Sequence, residues 1–468
     1  MTARDHLSPP PGYYPSVWPG ECGGPRRQKV TRAPGLRLQP GEALAARTRR
    51  LDDDRWPVMF VLRDPGELYL QGGTRAGQNR TSYGWVEQLH PETLEPVKRS
   101  PDLPSGGHNW CGAACVHANG DIYVVNGAYA HRLTPDLEVV AERRLSVDNA
   151  HNGHLVLSDG ALVAKDIQND PARRSVFTVL SPDLEIIDRY EFPWNSVGRF
   201  SADAQDGEDH LYVTSGAEIR RLIYRDGRLS LDPDWSAGYR IAGEDQAFAW
   251  DSTLGDDCAW FMDMGENAVV RAVLAAHPIG TQAVEVLPPA ALEAPDSLRP
   301  ALRQTTMQRY PNGAPIHAAP QRLFRVSLRD AADRDAFVLF DQPQGNIIAP
   351  PLYDQDRRIL VAFDTANRRL GAWRYHGPGD LRPLWQHPWR TSNQLTLYAD
   401  TGELFVDDCT TPGRWDAVVV DVETGVERGR ADTGCILSGG MWYTPGFGRD
   451  AYTSSPLGAI ARLHVADS

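Results

Sequence analysis

One short pattern that keeps returning along the chain limits its fold more than any other feature. "GELYLQGG" (66–73) comes back as "GDIYVVNG" (120–127), "GALVAKDI" (160–167), "DHLYVTSG" (209–216), "CAWFMDMG" (258–265), "RILVAFDT" (358–365), "GELFVDDC" (402–409) and "DAYTSSPL" (450–457). A period of roughly 40 to 55 residues, with one double-length gap, marks repeated supersecondary units that must stack to bury their apolar faces. Each copy follows a polar turn such as "HANGD" or "YADTGE" and an earlier alternating run, so the two read as a hairpin. Two further strands follow, as in "AHRLT" and "LEVVAERRL", or "VFTVLS" and "LEIIDRYEF", each pair joined through Pro-Asp. Four antiparallel strands per repeat is the unit of a propeller blade. The expectation is an all-β chain forming a single β-propeller over 41–468, of eight four-stranded blades, with seven as the alternative count.

The last repeat contains three strands before the sequence stops. The early segment "EALAARTRRL" (42–51) resembles the fourth strands of other repeats and is expected to pair with the last blade and close the ring, which removes an exposed edge. The gap between Trp260 and Leu360 reads as one oversized blade, with "RLFRVSL" and "AFVLFD" as its outer strands. A Pro- and Ala-rich loop or short helix is expected over about 272–320. Residues 1–40 form a Pro-rich extension that is either a tail or a strap anchored by Tyr13, Tyr14 and Trp18.

Composition enters as a set of exclusions. A formal charge of -13 argues against nucleic acid, whose phosphates need clustered Lys and Arg. The N-terminus lacks the apolar core of a signal peptide and no run of about 18 apolar residues occurs, so a cytoplasmic protein with no membrane contact is expected. The six cysteines form no CxxC pair, and reduced thiols are expected. Cys111 and Cys115, evenly spaced on a strand, should share one face.

"GELFVDD" followed by "AVVVDVETGVERGR" resembles the repeat of the quinoprotein alcohol dehydrogenase-like propellers, in which a strand is followed by an Asp-x-x-Thr-Gly turn. The resemblance implies the fold. Members that use pyrroloquinoline quinone carry a Trp at regular intervals, which this chain lacks, so that cofactor is not expected.

In a propeller, the loops entering each inner strand and the loops after each second strand open on one face around the axis. "SGGHNW" and "DNAHNGH" place His108-Asn109 and His151-Asn152 at the same blade position. Histidine can act there as acid, base or metal ligand. His108, His151, Glu244 and Asp245 are the candidate catalytic residues, and His108, His151 and His154 the candidate ligands of a divalent metal. Around them, Asn109, Trp110, Asn152 and His154 from neighbouring blades would contact a substrate. Arg199, Gln246, Asn346, Asn393, Asp407 and Trp442 would complete the contacts, with Arg199 holding an anionic group. Asp166, Asn169, Asp263, Glu266, Asn267, Asp364, Asn367 and Asp408 are expected to point to the same mouth, whereas His90, His117, His376 and His387 read as structural.

No GxSxG, HExxH, P-loop or dinucleotide fingerprint occurs. Two functions remain. One is an enzyme acting on a small molecule in an axial pocket, by acid-base or metal-assisted lyase, cyclase, isomerase or hydrolase chemistry. The other is a non-catalytic scaffold that meets a protein partner through its crown and N-terminal arm. The first calls for a concave polar pocket on the axis, the second for a filled axis and an exposed apolar patch.

Overall fold

The computed structural model describes residues 7, 10–52, 55–74, 82–263 and 320–467, except 109, 169, 171, 206, 245, 247–248, 344–349, 366, 412–413, 436–441 and 457. Eight sheets form the ring, each with four antiparallel strands, and two of them carry a fifth short strand, Val30–Thr31 or Leu103–Pro104. Numbered along the chain, blade 1 covers 55–99, blade 2 111–144, blade 3 151–191, blade 4 201–238, blade 5 249–343, blade 6 352–387 and blade 7 396–432. Blade 8 combines 443–467 with 42–50. All eight copies of the repeated pattern are second strands, from Leu68–Thr74 to Asp450–Ser455.

Burial explains why the repeated runs are apolar. In blade 2 the first strand, Cys111–Val116, and the second, Ile122–Asn126, are buried along their whole length, because neighbouring blades cover both faces. The fourth strand, Val139–Arg144, faces water on one edge and mixes Val with Glu and Arg. The turn before the fourth strand recurs in blades 1, 2 and 3, where Leu94, Leu137 and Leu184 adopt left-handed φ of 64°, 65° and 61°. All three leucines are buried, and their burial offsets the roughly 1–2 kcal/mol that this conformation costs a residue with a Cβ. In blade 7, Asp421 of the Asp-x-x-Thr-Gly turn accepts the Thr424 N–H at 2.9 Å, and Gly425 takes φ 73°.

Glu42–Arg50 pairs antiparallel with Ala459–Asp467, from Glu42 opposite Asp467 to Arg50 opposite Ala459, so an N-terminal strand completes the last blade. The oversized blade is one sheet whose outer strands are Pro320–Ser327 and Arg334–Pro343. The insertion expected at 272–320 lies outside the described residues, save for Pro320. Cys111 and Cys115 do not share a face. A bulge between Cys111 and Ala113 shifts the register, so Cys111 packs with Trp56 and Val58 while Cys115 packs with Tyr13 and Tyr123.

The arm from Pro10 to Leu36 lies inside the ring. Its carbonyls accept the inward N–H of the first strands in turn: Trp18 from Leu62, Pro19 from Val116, Pro25 from Ala202, Arg26 from Leu254, Gln28 from Tyr353, and Lys29 from Leu397. Tyr13 Oη takes the Val156 N–H of blade 3 at 3.0 Å, and Val30–Thr31 pairs parallel with Leu397 and Tyr398 of blade 7. Seven blades therefore satisfy an otherwise open inner edge on one segment. Within it Cys22, Arg27 and Lys29 hold left-handed φ of 57°, 57° and 62° while almost completely buried, a conformation the surrounding lumen imposes. Among the described residues, no helix is long and apolar enough to cross a membrane.

Candidate functional site: the floor of the axial mouth

The ends of the first strands bring side chains from opposite blades together across the axis. Arg199, entering blade 4, lies with Cζ 5.6 Å from the ring of Trp110 of blade 2 and 5.1 Å from Trp442 of blade 8, and Trp56 of blade 1 packs 5.3 Å from Trp110. Arg199 can sit this far in because Gly198 passes against the next blade, where a Cβ would fall 1.5 Å from the Trp250 carbonyl oxygen. Its backbone N–H donates to Asp251 at 2.6 Å.

Arg199 does hold a carboxylate, and that carboxylate belongs to its own chain. Nε is 2.7 Å from Glu21 Oε1 of the arm and Nη1 is 3.7 Å from Asp251. Arg27 of the arm contacts the same two acids at 2.8 and 3.3 Å. Burial opposes the charge on Glu21, but the guanidinium groups of Arg199 and Arg27 outweigh it and hold the carboxyl below its ordinary range. Two cations thus face two anions in a buried layer beneath the tryptophans. Nothing in the sequence marked Glu21 or Arg27, which lie outside the repeat; their one signal is a dense cluster of Gly and charged residues in a Pro-rich stretch.

His108 and His151 meet around Gly127. The His151 N–H donates to the Gly127 carbonyl at 3.0 Å, and a Cβ on Gly127 would stand 2.9 Å from the Cβ of His108. His151 is the first residue of its strand rather than part of a loop. Its Nδ1 lies 2.9 Å from the Asn149 oxygen and 3.2 Å from that of Gly127, two acceptors that place the proton on Nδ1 and leave Nε2 as a buried lone pair without a partner. Burial pushes this imidazole down to about 4, so it is neutral near pH 7. His108 is half-buried, with Nε2 3.3 Å from Asp148, whose carboxyl that contact lowers. His154 is buried with neither ring nitrogen bonded, and burial pushes it down to about 3.

The remaining candidates are dispersed. Glu244 is tied to Arg322 at 2.8 Å, and Gln246 is buried with Nε2 donating to Asp263 at 3.0 Å. Burial raises the Asp263 carboxyl to about 7. Asn152 donates to the Val197 carbonyl at 3.1 Å, and Asn393 to Thr453 at 3.1 Å. Asp245, Asn109 and Asn346 lie outside the described residues, as do Asn169, Glu266 and Asn267.

The carboxylates at the ends of the second strands do not form an open ring. Asp166 accepts the Val176 N–H at 2.6 Å, Asp263 that of Arg322 at 2.6 Å, Asp364 that of Asn367 at 2.9 Å, and Asp407 those of Ser392 and Asn393 at 3.2 and 3.1 Å. They tie the loops to the sheets, and Asp408 pairs with Arg430 at 3.0 Å. His90, His117 and His387 have local structural bonds, such as His117 Nε2 to the Gly160 oxygen at 3.0 Å. Among the described residues, no three His, Cys, Asp or Glu side chains gather as a metal ion would need.

These features define the class: an eight-bladed β-propeller whose lumen is filled by its own N-terminal arm. No protein-family model matches the chain, and no curated protein matches it. Solved structures share the fold. The quinohemoprotein alcohol dehydrogenase of Comamonas testosteroni superposes with a TM-score of 0.58 at 12% identity, over 95% of this chain and 80% of that one. Quinohemoprotein alcohol dehydrogenase ADHIIG of Pseudomonas putida HK5 gives 0.55 at 10% identity, over 97% and 80%. The Dos1 propeller gives 0.54 at 8%, over 91% and 97%. At these identities the likeness is one of architecture. On the described part of the axis stand Trp110, Arg199, Trp442 and the arm.

Proposed function

We propose that this protein is a non-catalytic binding platform, a rigid ring that meets a protein partner on its outer strands. The observation that carries the reading is the filled lumen, since the place where propellers gather small ligands is taken by Glu21, Arg27 and the tryptophan layer. The dispersal of the candidate catalytic set supports it, with Glu244 spent on Arg322 and the buried Asp residues spent on backbone N–H groups.

The matching apolar surface lies on adjoining blades. Val139 and Val140 of blade 2 and Ile186 and Ile187 of blade 3 hold the same repeat position, and Val140 and Ile187 are 52% and 47% exposed. The arm offers no such surface over Pro10–Leu36, because most of that segment is buried. The test is cross-linking of the full chain to a co-purifying protein, compared with a Val140→Asp, Ile187→Asp variant. Cross-links that map to blades 2 and 3 and vanish in the variant are the expected result. Turnover of a small organic molecule that is abolished by both His108→Ala and His151→Ala would instead establish the enzyme reading.

A further inference from the structure

The outer strands of blades 1, 2 and 3 share one departure from regular pairing. In blade 1, Gln88 faces Lys98 and Leu89 faces Pro96, so Val97 is the extra residue of a β-bulge. Val140 holds the same place in blade 2, between the pairs Arg132–Ala141 and Leu133–Val139. Ile187 holds it in blade 3, between Val179–Asp188 and Leu180–Ile186. The runs are "LEPV" (94–97), "LEVV" (137–140) and "LEII" (184–187), each opened by the left-handed leucine of the turn and closed by the bulged residue.

A bulge takes its residue out of the ladder and re-aims the side chain. Here it turns an aliphatic group outward each time, with Val97, Val140 and Ile187 56%, 52% and 47% exposed. Blades 6 and 7 use the same bulge differently: the extra residue is Leu384, packed against the core, or Arg428, paired with Asp421. With Val139 and Ile186, the three bulged residues make five of the eight large hydrophobic side chains exposed among the described residues. The apolar surface is therefore gathered on three consecutive blades, as at a docking site, and not scattered.

Charge gives this arc a sign. Its cations are matched within the chain: Lys98 of blade 1 pairs with Asp136 of blade 2, and Arg143 of blade 2 with Glu185 of blade 3. Arg99 pairs with Asp102 at 2.6 Å and Arg144 with Asp148 at 3.1 Å. Glu92, Glu95 and Glu138 are exposed and make no ion pair among the described residues. Glu142 faces His131, an imidazole that burial keeps neutral near pH 7. The surplus beside the aliphatic groups is negative. It repels an anionic lipid surface, and it would set like charges against each other in a second copy of the chain.

We propose that this arc, on the reading of the ring as a binding platform, receives a protein segment that presents aliphatic side chains flanked by Lys or Arg. Val97, Val140 and Ile187 supply the apolar contacts, and Glu95 and Glu138 meet the cations.

The probe is a displayed library of random peptides selected on the full chain, with the recovered peptides then measured in solution. The expected peptides are rich in Leu, Ile or Val together with Lys or Arg. They should lose about thirtyfold in affinity for a Val97→Asp, Val140→Asp, Ile187→Asp variant whose melting curve shows it to be folded. A Glu95→Gln, Glu138→Gln variant keeps the apolar contacts and should cost about tenfold at low salt and little at high salt. Acidic or uncharged peptides, peptides indifferent to both variants, or no peptide that binds overturn the proposal. A dimer in sedimentation that the aspartate variant breaks, or adsorption to phosphatidylcholine vesicles that it abolishes, gives the arc another occupant and overturns it too. Cross-links from a co-purifying protein separate the two failures. If they still map to blades 2 and 3, the platform stands and the partner chemistry alone falls; if they are absent as well, the platform reading falls with it.

Discussion

The lumen and the outer rim of this ring use the same ionic residues under opposite conditions. In the lumen, Glu21, Arg27, Asp251 and Arg199 are each no more than 5% exposed and contact one another and the tryptophan rings. On the rim, Arg132 bridges to Asp183 of the next blade at 2.6 Å, and Arg374 to Glu423 at 2.8 Å, with water on at least one partner. Exposed pairs contribute about 0–1 kcal/mol, because water and side-chain entropy take back most of the attraction. A buried pair contributes little relative to an apolar substitute, but deleting one member strands a charge and costs about 3–5 kcal/mol. The difference teaches that charge in the lumen sets where the arm must lie, while charge on the rim tunes solubility and blade contacts.

The strongest way to break this contrast is to remove the arm. Deleting residues 10–36 while keeping the closing strand strips partners from N–H groups in seven blades. At about 1–3 kcal/mol for each group left unsatisfied, the loss should exceed roughly 5 kcal/mol or prevent folding, as followed by chemical denaturation. An unchanged midpoint would make the arm a passenger.

A narrower version is Glu21→Gln, expected to cost about 3 kcal/mol because Arg199 and Arg27 then share one carboxylate. The pH dependence carries the sign. The folded-state pKa of Glu21 lies below its unfolded value, so its stabilisation is complete above the free glutamate pKa of about 4.3 and is lost as pH falls through the lower folded value. Acid unfolding of the wild type should be steeper in that window than that of the variant.

The buried imidazoles act over a different range. His131, His151 and His154 are pushed down to about 4, 4 and 3 by burial. Their neutral state is favourable above the unfolded value of about 6.5, and stability declines below it as the unfolded chain takes up protons the folded one refuses. His154→Leu removes one such group, whose nitrogens lack partners, and should gain about 1–2 kcal/mol at pH 5 relative to its effect at pH 8. Equal effects at the two pH values would mean that His154 is hydrated or bonded.

The smallest effect belongs to the rim. Val140→Asp should change stability by less than about 0.5 kcal/mol. A larger loss by denaturant titration would show that the outer strand is packed and not available to a partner.

Much of the architecture was legible in the chain. The repeat located all eight second strands, the Pro-Asp and Asp-x-x-Thr-Gly turns located the outer hairpins, and the likeness of "EALAARTRRL" to other fourth strands located the closing strand. The candidate site was legible only in part. His108 and His151 both border Gly127, because equal positions in successive blades are neighbours in space. The expectation that Arg199 holds an anionic ligand identified the right chemistry with the wrong partner, since Glu21 is 178 positions away with no periodic relation to it. The ring of carboxylates failed for another reason. A short acidic side chain at a strand end can either face solvent or cap its own loop, and local sequence does not separate these outcomes.

By itself the sequence determined the local alternation, the turns and their period, because strand and hairpin preferences depend on neighbours a few residues away. Tertiary structure alone decided what fills the axis. Seven of the eight inner edges present backbone N–H groups that find their acceptors on the arm, and only the closed ring brings those edges to that one segment.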